Sequence, residues 1–248
     1  MKLFRCQVCD NIIYFENRTC GRCGHRLAYV PELEVMAALE PAGGSFWTPL
    51  AGDSGPRLFC ANADQDACNW LTVSERNDKL CLACRHNGTI PNISEPAHLT
   101  AWRDIELAKH RLFYSLLRWK LSLKTRAEDP SHGLEFAFLA DPPKASGPKV
   151  MTGHENGVVT IALAEADSAE IEKRRTELAE PYRSLLGHFR HEVGHHIGMF
   201  SLATAASSTN AERSSVTIRR IMKRPSSVIM NGARRQIGET VLSRLMRP

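Results

Sequence analysis

The sequence predicts an α+β protein, a small cysteine-bound module followed by a domain in which a twisted sheet lies beside one amphipathic helix. Three observations predict it. All eight cysteines fall between Cys6 and Cys84 and divide into two sets of four. Beyond them the pattern changes to helix-periodic and then strand-periodic segments. Near residue 190 an apolar helical stripe encloses His191-Glu192-Val193-Gly194-His195. The expected divisions are 1–92, 93–196 and a compositionally distinct tail, 197–248.

The cysteines come first. Cys6-x2-Cys9 and Cys20-x2-Cys23 flank a ten-residue spacer, and each C-x-x-C turn aims two thiolates at one metal, the paired knuckles of a zinc ribbon. Asp10, Asn11, Gly21 and Gly24 suit the tight turns. Cys60, Cys68, Cys81 and Cys84 form a second four-cysteine set with one C-x-x-C and wider spacings. Disulfides are the competing reading, and the C-x-x-C pairs in a reducing compartment favour metal. His25 and His86 follow C-x-x-C pairs, but four thiolates leave no vacancy, so surface or supporting roles are expected. Pro31 to Leu50 reads as a Gly/Pro-rich joint between the sites. Structural zinc is expected to stand in for a hydrophobic core in this region.

After Pro96, residues 97–119 carry Leu99, Trp102, Ile105, Leu112, Phe113, Leu116 and Leu117 at amphipathic spacing. Both Trp102 and Trp119 read as core anchors. Leu134 to Leu139 reads as a strand and the proline-containing 141–148 as a loop. Next come a strand at 149–152, a turn at Glu155-Asn156-Gly157 and a strand at 158–163. Residues 167–179 read as a charged helix with a solvated face.

The last helix carries the chemistry. Leu185, Leu186, Phe189, Val193 and Ile197 give it an apolar face, and Pro181 suits its first turn. Four-residue spacing sets His191 and His195 on one helix face, where both imidazoles reach one zinc ion. Glu192 is then the catalytic general base acting on a metal-held water, which is peptide-bond hydrolysis chemistry of the zincin type. His188 reads as structural, His196 as pointing to another face, and His154 as exposed at the strand turn. An edge strand beside this helix would pair with extended substrate.

A catalytic zinc needs a third protein ligand, and after His196 the chain has no His, Asp or Cys, only Glu212 and Glu239. The tail is also strongly basic. It carries nine Lys/Arg against two Glu, or +7 against +5 for the whole chain, so residues 1–196 carry −2. Read one base out of register, Met222-Lys223 and Met230-Asn231 must each encode Glu, and Ile197 to Phe200 can encode Trp-Asp-Val. The tail is therefore expected to be translated out of frame and poorly ordered, leaving the catalytic site incomplete. No apolar run approaches the roughly 20 residues that span a bilayer, and nothing resembles a signal peptide, so no membrane association and a cytoplasmic location are expected.

Taken together, Phe4-Arg5-Cys6, Tyr14 to Asn17, Cys20 to Gly24, Phe59 to Asn62, Cys81 to Pro91, His110 to Leu117, Thr152 to Gly157 and Leu186 to His195 resemble a bacterial family of zinc-binding metallopeptidases that begin with a zinc ribbon. The resemblance covers Met1 to His195. It implies a zinc-dependent peptidase acting on a peptide or protein, inactive in this form if the third ligand is missing. Three Zn2+ ions are expected, two structural and one catalytic. The alternative is a non-catalytic zinc-ribbon protein that binds nucleic acid or a protein partner, for which Arg5, Arg18, Arg22 and Arg26 with Tyr14 and Phe15 would supply the surface.

Overall fold

A computed structural model describes residues 2–53, 55–72, 79–121, 123–142, 147–167, 169, 171–172, 176 and 184–207. The tail beyond 207, most of the charged 167–179 stretch and Pro181 lie outside the described residues. The first knuckle pair is a small hairpin, with strands β1 (Phe4–Arg5) and β2 (Ile12–Ile13) antiparallel.

The stretch expected as a joint is a sheet. Strands β3 (Arg26–Val30), β4 (Val35–Pro41) and β5 (Trp47–Pro49) pair in that order, all antiparallel. The physical reason is the run Val35-Met36-Ala37-Ala38-Leu39, which is apolar enough to bury both faces. Ala28, Val30, Ala37, Leu39 and Leu71 form a core on one side, while Tyr29 and Met36 join the main core on the other.

A second sheet follows the order β6 (Asn87–Thr89), β7 (Glu135–Leu139), β9 (Val158–Ala162), β8 (Gly153–Glu155). The β6–β7 and β7–β9 pairs are parallel and β8–β9 is antiparallel. The strand expected at 149–152 is not formed; β8 lies at Gly153–Glu155, so Glu155 belongs to the strand rather than the turn and the hairpin is short. Asn156 (φ 48°) and Gly157 (φ 85°) form its two-residue turn. Positive φ at both positions is what a type I′ turn requires, and it matches the right-handed twist of the strands.

Helix α1 (Pro96–Arg118) starts with proline in its first turn, where the missing N–H costs nothing. It runs between the cysteine-rich half and the second sheet. Tyr114 packs on Phe15, ring centroids 5.1 Å apart, within a cluster that includes Tyr29 and Trp70. Phe113, toward the sheet, meets Phe136 at 6.0 Å. Trp102 is buried as expected, but Trp119 is 37 % exposed and anchors no core, because the helix ends one residue before it.

The cysteine sites therefore do not replace a core. Cys6, Cys20, Cys60, Cys68, Cys81 and Cys84 belong to one continuous apolar cluster that extends through α1 and the sheet to Phe189 and Val193.

Helix α2 (Leu185–Ser207) crosses the sheet and does not stop at His196, where the basic composition begins. Its rotation is set by Phe189 and Val193, both fully buried. Phe189 meets Phe136 and Phe138 at 5.5 and 6.3 Å. Burying such side chains stabilises by about 1.5–3 kcal/mol each. Residues 191 and 195 lie about 200° round the helix from 189 and 193, so burying one pair turns the other outward.

Candidate metal centres and hydrolase site

In the first cysteine site the two knuckles are built alike. The N–H of Asp10 donates to the Cys6 carbonyl and that of Gly24 to the Cys20 carbonyl, both at 2.9 Å. Asp10 and Gly24 adopt positive φ, 57° and 74°. This closes each loop so that four sulfurs converge: Cys6 and Cys23 Sγ are 3.6 Å apart, as are Cys9 and Cys20. Backbone N–H groups of Cys23 and Arg22 lower the Cys20 thiol to about 6. Cys23 moves the other way, to about 12; the His25 N–H acts to lower it, and burial beside three other sulfurs outweighs that. Such a cluster of sulfurs is stabilised by a shared cation.

The second site, Cys60, Cys68, Cys81 and Cys84, lies wholly inside the core. Cys68 and Cys81 Sγ are 3.7 Å apart. The Trp70 backbone N–H donates to Cys68 Sγ at 3.3 Å and the Cys84 backbone N–H to Cys81 Sγ at 3.4 Å, while burial pushes both thiols well above their usual range. All eight cysteines are free thiols, so the disulfide reading does not hold. The four-sulfur distances fit tetrahedral zinc, whose sulfurs at about 2.3 Å lie about 3.7 Å from one another.

His86 is not at the surface. It is buried, with Nδ1 3.0 Å from the Leu82 carbonyl and Nε2 3.1 Å from that of Leu123. His25 is half-buried, and its Nδ1 has no partner among the described residues.

Two groups beside the second site were missed by sequence reasoning. Glu106 and Lys109 form a fully buried ion pair at 2.8 Å, tied to Asn87. His110 aims its ring into the cysteine cluster. The only signal was their spacing along α1, which any helix carries.

On α2, His191 and His195 bring their Nε2 atoms to 3.0 Å, with rings crossed at 87° and centroids 4.5 Å apart. Two ligands of one tetrahedral zinc at about 2.0–2.1 Å lie about 3.3 Å apart, so this pair is close to a zinc-binding geometry. Glu192 is partly exposed beside them. His188 turns away, its Nδ1 3.0 Å from the buried carboxylate of Glu165. His196 also leaves the metal face, as expected, and packs edge-on against His154.

His154 is the third residue that sequence reasoning misplaced. On β8 it is half-buried rather than exposed, because the tight hairpin folds it back against α2. Burial lowers its basicity; the Glu192 carboxylate pulls it up and His195 pushes it down. The His154 Nε2 accepts the Gly157 N–H at 3.3 Å, so its proton sits on Nδ1. Burial and the neighbouring His154 likewise lower His196.

Among the described residues, no group of three or more His, Cys, Asp or Glu donors includes both His191 and His195. Glu212 and Glu239 lie outside the described residues. No described helix is long and apolar enough to cross a membrane.

The chain thus holds a four-cysteine ribbon, a second buried cysteine site and a helix presenting two converging imidazoles beside a sheet edge. Residues 98–216 match the model of the family described as "Putative zinc-binding metallo-peptidase", and residues 3–95 match that of a zinc-ribbon domain. The resemblance read from the sequence is thus borne out in both halves. Similar proteins include uncharacterized proteins of Mycobacterium bovis and of two strains of Mycobacterium tuberculosis. Each is 39% identical over 196 residues, covering 79% of this chain and 53% of the relative. The chain therefore spans about half the length of the curated relatives it matches. No solved structure matches it.

Proposed function

We propose that this chain carries the core of a zinc-dependent peptide hydrolase, in which His191 and His195 hold the ion and Glu192 is the general base. The observation that carries the reading is the 3.0 Å approach of the two Nε2 atoms on the outward face of α2. Zinc bound there would lower the pKa of a held water and polarise a substrate carbonyl. Glu192 would take the water's proton and pass it to the leaving amine. Strand β8, at the sheet edge beside α2, would pair with an extended peptide. His154, with its proton on Nδ1, would donate to the substrate oxygen on which charge develops.

The third protein ligand is missing from the described part of the site. That supports a form which binds catalytic zinc weakly and does not turn over, and the out-of-frame tail is its cause in this reading. Comparing the chain with a frame-restored version tests it, by zinc content and peptide cleavage, with Glu192→Gln as control. About two tightly held zinc ions here and about three after restoration, with cleavage abolished by Glu192→Gln, is the expected result. A restored chain that behaves like its Glu192→Gln variant removes the hydrolase reading.

The nucleic-acid alternative draws little support from the ribbon, because its arginines are engaged within the chain. Arg5 pairs with Asp10 at 2.7 Å and Arg18 with Asp66 at 2.8 Å. Arg22 donates to the Cys9 carbonyl at 3.2 Å, and Arg26 lies over the Phe59 ring at 4.2 Å.

A further inference from the structure

We propose that His110 is a reserve ligand of the second cysteine site, able to hold zinc with Cys68, Cys81 and Cys84 when Cys60 is lost. The inference rests on the direction of one lone pair. His110 is 2 % exposed, and its Nδ1 lies 2.6 Å from the carbonyl oxygen of Glu106, one turn earlier in α1. A carbonyl only accepts, so Nδ1 carries the proton. In the neutral ring Nε2 is then an unprotonated lone pair, the arrangement found in metal-bound histidines, whose other nitrogen donates to a carbonyl or carboxylate.

That lone pair faces sulfur. Nε2 is 3.3 Å from Cys68 Sγ, 3.6 Å from Cys84 Sγ and 4.0 Å from Cys81 Sγ. For zinc with three sulfurs at about 2.3 Å and one imidazole nitrogen at about 2.0–2.1 Å, nitrogen and sulfur lie about 3.5–3.6 Å apart. The observed distances bracket that value. Nε2 therefore caps the face made by Cys68, Cys81 and Cys84. Because Cys60 completes the four-sulfur group with the same three, the site offers two alternative tetrahedra that share a face.

The surroundings hold the ring in place. Trp70 packs on it with centroids 5.0 Å apart, and the Glu106 carbonyl fixes its tilt. The Glu106 carboxylate lies 4.0 Å from Nδ1 and is itself held by the fully buried Lys109 at 2.8 Å. A mere hydrogen-bond donor to thiolate would need the protonated ring.

Zinc content of the full chain, measured by native mass spectrometry on Cys60→Ala, Cys68→Ala, His110→Phe and Cys60→Ala/His110→Phe, tests this. Cys60→Ala and His110→Phe are each expected to keep the wild-type number of ions. Cys68→Ala and the double variant are expected to hold one fewer. In the cobalt(II)-loaded Cys60→Ala chain the sulfur-to-metal absorption of this site should fall by about a quarter, with one of four thiolates gone. A Cys60→Ala chain that holds one ion fewer, whether folded or not by circular dichroism, overturns the proposal. So does a double variant that keeps the full number.

Discussion

The imidazole of His154 stands edge-on against that of His196, centroids 5.5 Å apart and planes at 68°, joining the β8–β9 hairpin to the helix that carries His191 and His195. The contact fixes where the sheet edge lies relative to the two site histidines. It leaves the His154 Nδ1 proton available, since Nε2 is occupied by the Gly157 N–H.

His154→Phe should therefore keep the packing and remove the donor. In a frame-restored chain that cleaves peptide, kcat is expected to fall about 10²-fold or more, the usual cost of losing one donor to a developing oxyanion. Zinc content should not change. Steady-state kinetics with metal analysis reads both, and an unaltered kcat would remove His154 from the site.

Gly157 sits at φ 85°, and a Cβ there would lie 2.5 Å from the Gly133 carbonyl oxygen and 3.7 Å from His196 Cε1. Gly157→Ala should destabilise by about 1–3 kcal/mol, combining left-handed strain with a backbone clash. Denaturant unfolding gives the loss.

Glu106 and Lys109 are both fully buried and paired at 2.8 Å. Glu106→Gln strands the ammonium and is expected to cost about 3–5 kcal/mol. Adding Lys109→Met should recover most of it, because the isolated buried charge is what destabilises. Urea midpoints of the three chains decide, and a double variant no better than the single would refute the pairing argument.

Burial lowers His86 to about 4, helped by the charges of Arg85 and Lys109 and opposed by the carbonyls of Leu82 and Leu123. A histidine depressed in the folded state binds fewer protons there than when unfolded. Its contribution is then complete above about 6.5 and is lost as pH falls from 6.5 toward 4. Wild-type stability should decline more steeply across that window than that of His86→Gln, by about 3 kcal/mol in total. Equal slopes would contradict it.

Chelating zinc should disturb the core rather than a detachable appendage. Trp70 donates its backbone N–H to Cys68 and packs its ring on His110, and Cys60, Cys68, Cys81 and Cys84 share a cluster with Trp102 and Phe136. Metal removal is expected to unfold most of the chain cooperatively, with fluorescence and circular dichroism changing together. Separate transitions would show two independent halves.

Much was legible in the sequence because it is set by local spacing. C-x-x-C turns place two sulfurs together over four residues, and Asn156-Gly157 dictates a type I′ turn. A four-residue interval sets His191 and His195 on one helix face whatever surrounds them, and the apolar positions 189 and 193 say which face turns outward. What tertiary structure alone decided is which distant groups meet. Residues 31–50 became a sheet because Arg26–Val30 was there to pair with it. His154 reached the site because its hairpin folds against α2, and His110 reached the sulfurs because α1 runs beside them. The His154–His196 and His110–Cys68 encounters each join residues 42 positions apart, and no local periodicity encodes them: they arise from burying one continuous apolar core.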